Sequence, residues 1–84
     1  MTYRVEFTTA AARQLRKIMR PDAVRIAAAI RALTNDPRPQ GSKPLAGRIG
    51  WRIRVGDFRV LYEIDDAVIT VRVVRVGNRR DVYR

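Results

Sequence analysis

From Trp51 to Val76 apolar and polar residues alternate with a period of two. The stretch WRIRVGDFRVLYEIDDAVITVRVVRV reads as three antiparallel strands joined by tight turns at Gly56-Asp57 and Asp65-Asp66. Counting outward from those pairs sets the register. Val55 falls opposite Phe58, Arg54 opposite Arg59 and Ile53 opposite Val60. Across the second turn, Tyr62 falls opposite Ile69, Val60 opposite Val71 and Arg59 opposite Arg72. One face of this meander is then wholly apolar: Trp51, Ile53, Val55, Phe58, Val60, Tyr62, Ile69, Val71 and Val73. The other carries Arg54, Arg59 and Arg72 in a row across the strands, with Arg52 beside them. Like charges directly opposed in a sheet cost up to about 1 kcal/mol per pair. Such a row makes sense if an anion binds there.

Before the meander, Tyr3 to Phe7 alternates as a first strand, with Tyr3, Val5 and Phe7 inward. Thr8 or Thr9 offers an N-cap for a helix running to about Met19, with Leu15, Ile18 and Met19 on its buried side. Pro21 ends that helix and can open the next, which runs to about Thr34. Ala23, Ile26, Ala27, Ile30 and Leu33 form one apolar stripe along it. The short break predicts an antiparallel helical hairpin. Asn35 to Gly50 reads as a Pro- and Gly-rich loop with Leu45 plugged against the core. The tail from Gly77 to Arg84 is too short for a helix and either returns along the sheet or lies over its end. A helical pair with one stripe and a sheet with one apolar face should pack together. The expected fold is therefore α+β, one domain over residues 1–84. Its N-terminal strand and helical hairpin pack on a mainly antiparallel sheet, and the arginine face is left uncovered.

Composition narrows what that face can do. The chain has 84 residues, room for one modest core, and a net charge of +10. Sixteen of its eighteen basic residues are Arg, which suits bidentate phosphate recognition better than Lys does. Charge of this size points to nucleic acid, an acidic protein partner or an anionic membrane surface. No stretch is apolar enough to span a bilayer or to serve as a signal peptide, which gives the expectation of a cytoplasmic protein.

Absent residue types narrow it further. Without cysteine there is no disulfide framework and no thiol nucleophile. Without histidine the usual general base and the commonest metal ligand are missing. No zinc spacing, Gly-rich phosphate loop or Ser-centred elbow occurs, and the expectation is a site without metal or cofactor. RNA cleavage survives these exclusions, because RNA brings its own nucleophile in the 2′-hydroxyl. The protein then has to orient the phosphate, stabilise its developing charge and manage two proton transfers. Several Arg and a Tyr can do the first two. Proton transfer is harder, since free Arg titrates above about 12.

The stretch W-R-I-R-V-G-D-F-R-V-L-Y-E-I-D, the later V-R-V-G-N-R-R-D-V-Y and the loop K-P-L-x-G together resemble the RelE/ParE toxin superfamily over essentially the whole chain. The resemblance implies the toxin of a type II toxin–antitoxin system, neutralised by a small acidic, RelB-like antitoxin in a higher-order hetero-oligomer. In the RelE branch it implies an mRNA interferase, an endoribonuclease that cuts mRNA on the ribosome without metal and inhibits translation. In the ParE branch it implies a DNA gyrase inhibitor without nuclease activity. Matched motif by motif to the RelE branch, Arg52 and Arg54 take positions that are typically Lys. Arg59 takes that of the phosphate-holding Arg, Arg79 that of the Arg proposed as general acid, and Tyr83 that of the stacking Tyr. Arg72 and Arg80 are accessory RNA-binding or antitoxin-binding candidates. The departure is Arg for Lys at 52 and 54, where the family is thought to place its general base.

Overall fold

The computed structural model describes residues 2–78, so Arg79, Arg80 and Tyr83 lie outside the described residues. The chain runs β1 (Arg4–Phe7), α1 (Thr9–Arg16), α2 (Asp22–Ala32), β2 (Lys43–Pro44), β3 (Trp51–Val55), β4 (Phe58–Asp65) and β5 (Thr70–Asn78). One five-stranded sheet has the order β1-β5-β4-β3-β2. β1 pairs parallel with β5, and every other pairing is antiparallel. The fold is the expected α+β arrangement, two helices on one face of a mixed sheet.

The helices form where their caps and stripes put them. Thr8 is the N-cap of α1, its hydroxyl accepting from Ala11 N at 3.1 Å. A cis Arg20–Pro21 peptide joins the helices. α2 buries Ile26, Ile30 and, at its C-cap, Leu33. These pack with Ala11 against Ile53, Val60, Tyr62, Val71, Val73 and Val76 of the sheet. Burying a side chain of this size stabilises by about 1.5–3 kcal/mol, so this layer outweighs any single surface ion pair. Met19 departs from expectation and is 81% exposed. α1 ends at Arg16, so Met19 sits in the connection and has left the helical stripe. Phe7 is 41% exposed: it lies on an edge strand and lines a cleft with Leu15, Ala27 and Ile30 of the helices. The Pro-rich loop contains one short element the pattern did not predict: Lys43 and Pro44 pair with Arg52 and Trp51 as β2.

The first hairpin has the expected register: Ile53 with Val60, Arg54 with Arg59, Val55 with Phe58. Gly56, at φ 60°, supplies the left-handed residue that a two-residue turn demands. The second hairpin does not. Its strands end at Asp65 and Thr70, which pair, so the connection is four residues long. The Asp65 carboxylate accepts from Ala67 N at 3.0 Å and Val68 N at 3.2 Å, building a longer turn, and Ile69 lies in it at φ 51°. Tyr62 therefore pairs with Val73 instead of Ile69. The slip from the expected pairing is an even number of residues, so Val71 and Val73 still face the helices.

A β-bulge then changes the parity. Leu61 pairs with Arg75 while Tyr62 pairs with Val73, leaving Val74 as the extra residue. Helix α1 and its cap hold the bulge. The Thr8 hydroxyl donates to Val74 O at 2.9 Å, Thr8 N donates to Val73 O at 3.0 Å, and Gln14 Oε1 accepts from Val76 N at 2.8 Å. Beyond the bulge Val76 is buried and Arg75 points to the face away from the helices.

Candidate nucleic-acid interface

On the sheet face away from the helices, register arranges the side chains in three rows. The first is Lys43, Arg52, Leu61 and Arg75, across β2, β3, β4 and β5. The second is Arg54, Arg59 and Gly77. The third is Glu63, Arg72 and Glu6, across β4, β5 and β1. The expected line of Arg54, Arg59 and Arg72 is therefore not formed. Arg54 and Arg59 are directly opposed, with Arg52 two residues along β3 on the same face, but Arg72 belongs to another row. Glu63, its partner, is four positions from Arg59 in β4, about 13 Å along the strand. Arg72 lies between two glutamates, where cross-strand attraction replaces the repulsion of the second row.

Arg75 is a residue that alternation alone missed. Its signal was the adjacent pair Val73-Val74, which breaks the period of two in T-V-R-V-V-R-V and marks the bulge. Leu61, at the centre of the basic rows, is 3% exposed although it faces away from the core. It shares a small cleft with Leu45, Arg48, Ile49, Glu63 and Arg75. Long arginine stems can cover such an apolar floor while their guanidinium groups stay in water.

The loop before β3 forms the side wall. Leu45 N donates to Gly50 O at 2.9 Å, closing residues 45–50 on themselves. Gly50 is required there: at φ 131°, an added Cβ would stand 3.0 Å from Leu45 Cδ1 and 3.2 Å from Tyr62 O. Leu45 is half-buried, consistent with the expected plug, while Ile49 at the loop tip is 86% exposed. Between this loop and β3 lies a cleft of about 520 Å³ lined by Lys43, Pro44, Leu45, Ala46, Arg48 and Arg52.

The other end of the same face is acidic. A cleft of about 410 Å³ is lined by Glu6, Glu63, Asp65 and Asp66, with Arg72 among them. Asp66 also anchors the preceding loop. Arg38 Nη2 donates to Asp66 Oδ2 at 2.9 Å, and the Tyr3 hydroxyl donates to Asp66 Oδ1 at 2.6 Å. Arg38 stands 5.4 Å from the Trp51 ring centroid, a cation–π distance. The Arg38 hydrogen bond, reinforced by that from Tyr3, lowers the pKa of the Asp66 carboxyl, while the bond to Asp66 raises that of Tyr3. Tyr62 is wholly buried and donates to Pro37 O at 2.7 Å; burial raises its pKa. Tyr62 and Trp51 thus hold the core and its loop, and take no part in the basic rows.

A two-helix layer on a mixed sheet, with a basic face on the side away from the helices, defines the class to which comparison with known proteins assigns the chain. The family described as ParE toxin of type II toxin-antitoxin system, parDE, matches residues 5–83. Toxin RelG of Mycobacterium tuberculosis is 40% identical over 87 aligned positions, covering 100% of this chain and 99% of that protein. The toxin–antitoxin complex RelBE2 of the same organism contains a chain that superposes with a TM-score of 0.84 at 33% identity, over 96% of this chain and 95% of that one. A doubly substituted Escherichia coli RelE in the free state has the same fold at 22% identity, TM-score 0.79, over 93% of this chain and 84% of that one. The chain belongs to the RelE/ParE family and is the toxin of a toxin–antitoxin system.

Proposed function

We propose that the chain is a RelE-type mRNA endoribonuclease that cuts ribosome-bound mRNA through the RNA 2′-hydroxyl and so inhibits translation. The observation that carries this reading is the directly opposed pair Arg54 and Arg59, with Arg52 beside it, on a sheet face that the helices leave open. Opposed like charges destabilise the folded chain, and a phosphate between them reverses the sign of that interaction. Arg54 and Arg59 clamp the scissile phosphate and stabilise the charge that grows on it as the 2′-oxygen attacks phosphorus and the 5′-oxygen leaves. Arg52 holds a neighbouring phosphate, Arg79 neutralises or protonates the leaving oxygen, and Tyr83 stacks on a base. Arg80 and Arg72 add attraction for the strand.

Toxins of this fold occur in complex with their antitoxins in M. tuberculosis RelBE2 and in E. coli RelBE, and an acidic RelB-like partner suits a chain of net charge +10. The partner would neutralise the basic rows in a larger hetero-oligomer in the cytoplasm. Primer extension on mRNA in a translation extract tests the activity. Wild type should give discrete cuts and Arg79→Ala should not. Absence of cuts with both sinks the nuclease reading.

A second reading has its own support. The matching family description is that of ParE, and arginine at 52 and 54 is a poor proton acceptor. On that reading the toxin inhibits DNA gyrase by binding. Inhibition of supercoiling by purified protein, without ribosomal mRNA cuts, would establish it.

A further inference from the structure

We propose that Lys43 and Arg48, with Arg52, form a second phosphate subsite that holds the RNA backbone beside the position clamped by Arg54 and Arg59. The inference rests on reading this face as a nucleic-acid surface, but it does not require that the RNA be cut.

Three observations carry it. First, these cations line one concave cleft of about 520 Å³ whose remaining walls are Pro44, Leu45 and Ala46, with no carboxylate among them. Second, none of the three forms an ion pair or side-chain hydrogen bond with another described residue, whereas Arg4, Arg25 and Arg38 are each paired with an acid. Third, the backbone fixes the spacing before any ligand arrives. Lys43 is the direct cross-strand partner of Arg52, which brings their Cβ atoms to about 5 Å. Arg48 is carried on the loop that the Leu45–Gly50 hydrogen bond closes.

The cleft also continues a track. Arg52 and Arg54 are alternate residues of β3 on one face, about 7 Å apart along the strand, and Arg54 is opposite Arg59. A phosphodiester strand lying along β3 would meet Arg54 and Arg59 at one phosphate and Arg52, Arg48 and Lys43 at the next. Without a phosphate, Lys43 beside Arg52 is a second like-charge pair, adjacent to that of Arg54 and Arg59. Two cation rows about 7 Å apart along β3 match a backbone with regularly spaced charges, and this favours nucleic acid over an acidic peptide. Lys43 and Arg48 would act as positioning residues, setting which phosphate reaches Arg54 and Arg59.

The test is the salt dependence of binding of a ten-nucleotide single strand, 2′-O-methylated throughout so that no 2′-hydroxyl can attack. The full chain would be compared with Lys43→Ala/Arg48→Ala and with Arg13→Ala/Arg16→Ala on the exposed face of α1. Each lost phosphate contact lowers the slope of log affinity against log salt by about 0.7 for single strands, so the Lys43/Arg48 variant should lose about 1.4. The α1 variant should keep the wild-type slope. Lys43 and Arg48 are exposed, so thermal unfolding should be unchanged, and this is checked alongside. An unchanged slope, or an equal loss in the α1 variant, overturns the proposal. So does a variant that keeps its slope for RNA but loses affinity for a polyglutamate peptide, which would assign the cleft to a protein partner. If the translation extract shows no cleavage with wild type or Arg79→Ala, the nuclease reading fails while the slope still decides the subsite.

Discussion

The two ends of the sheet face away from the helices have opposite electrostatics. At the β2–β3–β4 end, Arg54 opposes Arg59 and Lys43 opposes Arg52. At the β5–β1 end, Arg72 is flanked by Glu63 and Glu6, with Asp65 and Asp66 nearby. An arginine whose charge is offset inside the fold contributes to the sheet. An arginine set against another cation strains the sheet and gains when an anion arrives. Residue type and face are the same in both cases; cross-strand neighbours separate a structural arginine from a candidate ligand-binding one. The Gly56-Asp57 turn sets Arg54 against Arg59, and the four-residue turn of the second hairpin sets Arg72 against Glu63.

That contrast can be broken by experiment. The largest effect is expected at Arg59. Removing a positioned donor to a developing oxyanion typically costs about 10²–10³ in rate, so Arg59→Ala should lose that much ribosome-dependent cleavage. Arg72→Ala should stay within severalfold of wild type. Primer extension on the same message compares the two, and equal losses would show that both ends serve the reaction.

Next in size is the bulge. Gln14→Leu leaves the N–H of buried Val76 without its acceptor, at a cost of about 1–3 kcal/mol in urea unfolding. Stability unchanged from wild type would mean that α1 does not hold the register. A smaller pair of effects should have opposite signs. Arg54→Thr removes a like-charge opposition and should stabilise by up to about 1 kcal/mol, while Arg72→Thr removes attraction to Glu6 and Glu63 and should destabilise by about 0.2–1 kcal/mol. The same sign for both would erase the distinction drawn between the two ends.

The smallest effect concerns the acidic end. Because Arg38 lowers the pKa of Asp66 in the folded state, this carboxylate contributes stability that is complete above its unfolded value, about 3.9, and is lost as pH falls through the folded one. The midpoint of thermal unfolding should therefore fall on acidification below about pH 4. Asp66→Asn should flatten part of that decline, and an unaltered pH profile in the variant would refute the assignment.

Much of this was legible in local pattern. The helical stripe of α2, the Thr8 cap and the Pro21 break depend on residues within a few positions of one another, and each element formed close to where it was expected. So did the first hairpin, because Gly56-Asp57 permits one short turn and fixes Arg54 against Arg59. Arg52, Arg54 and Arg59 follow from that turn. Arg72 was misplaced and Arg75 missed for a different reason. The second turn offers no glycine, so the Asp65 side chain could build a longer loop. The bulge that follows is held by Thr8 and Gln14, some 60 residues earlier in the chain.

The sequence by itself therefore determined the two helices, the four longer strands, and which sheet face is apolar and which is basic, since these depend on period and short-range turn chemistry. Only the tertiary structure decided which arginines have acidic cross-strand neighbours and which have basic ones. Register in a sheet is a long-range quantity. The Thr8 hydroxyl and the Asp65 carboxylate moved it by a few residues, and that displacement set Arg72 between Glu63 and Glu6, away from Arg54 and Arg59.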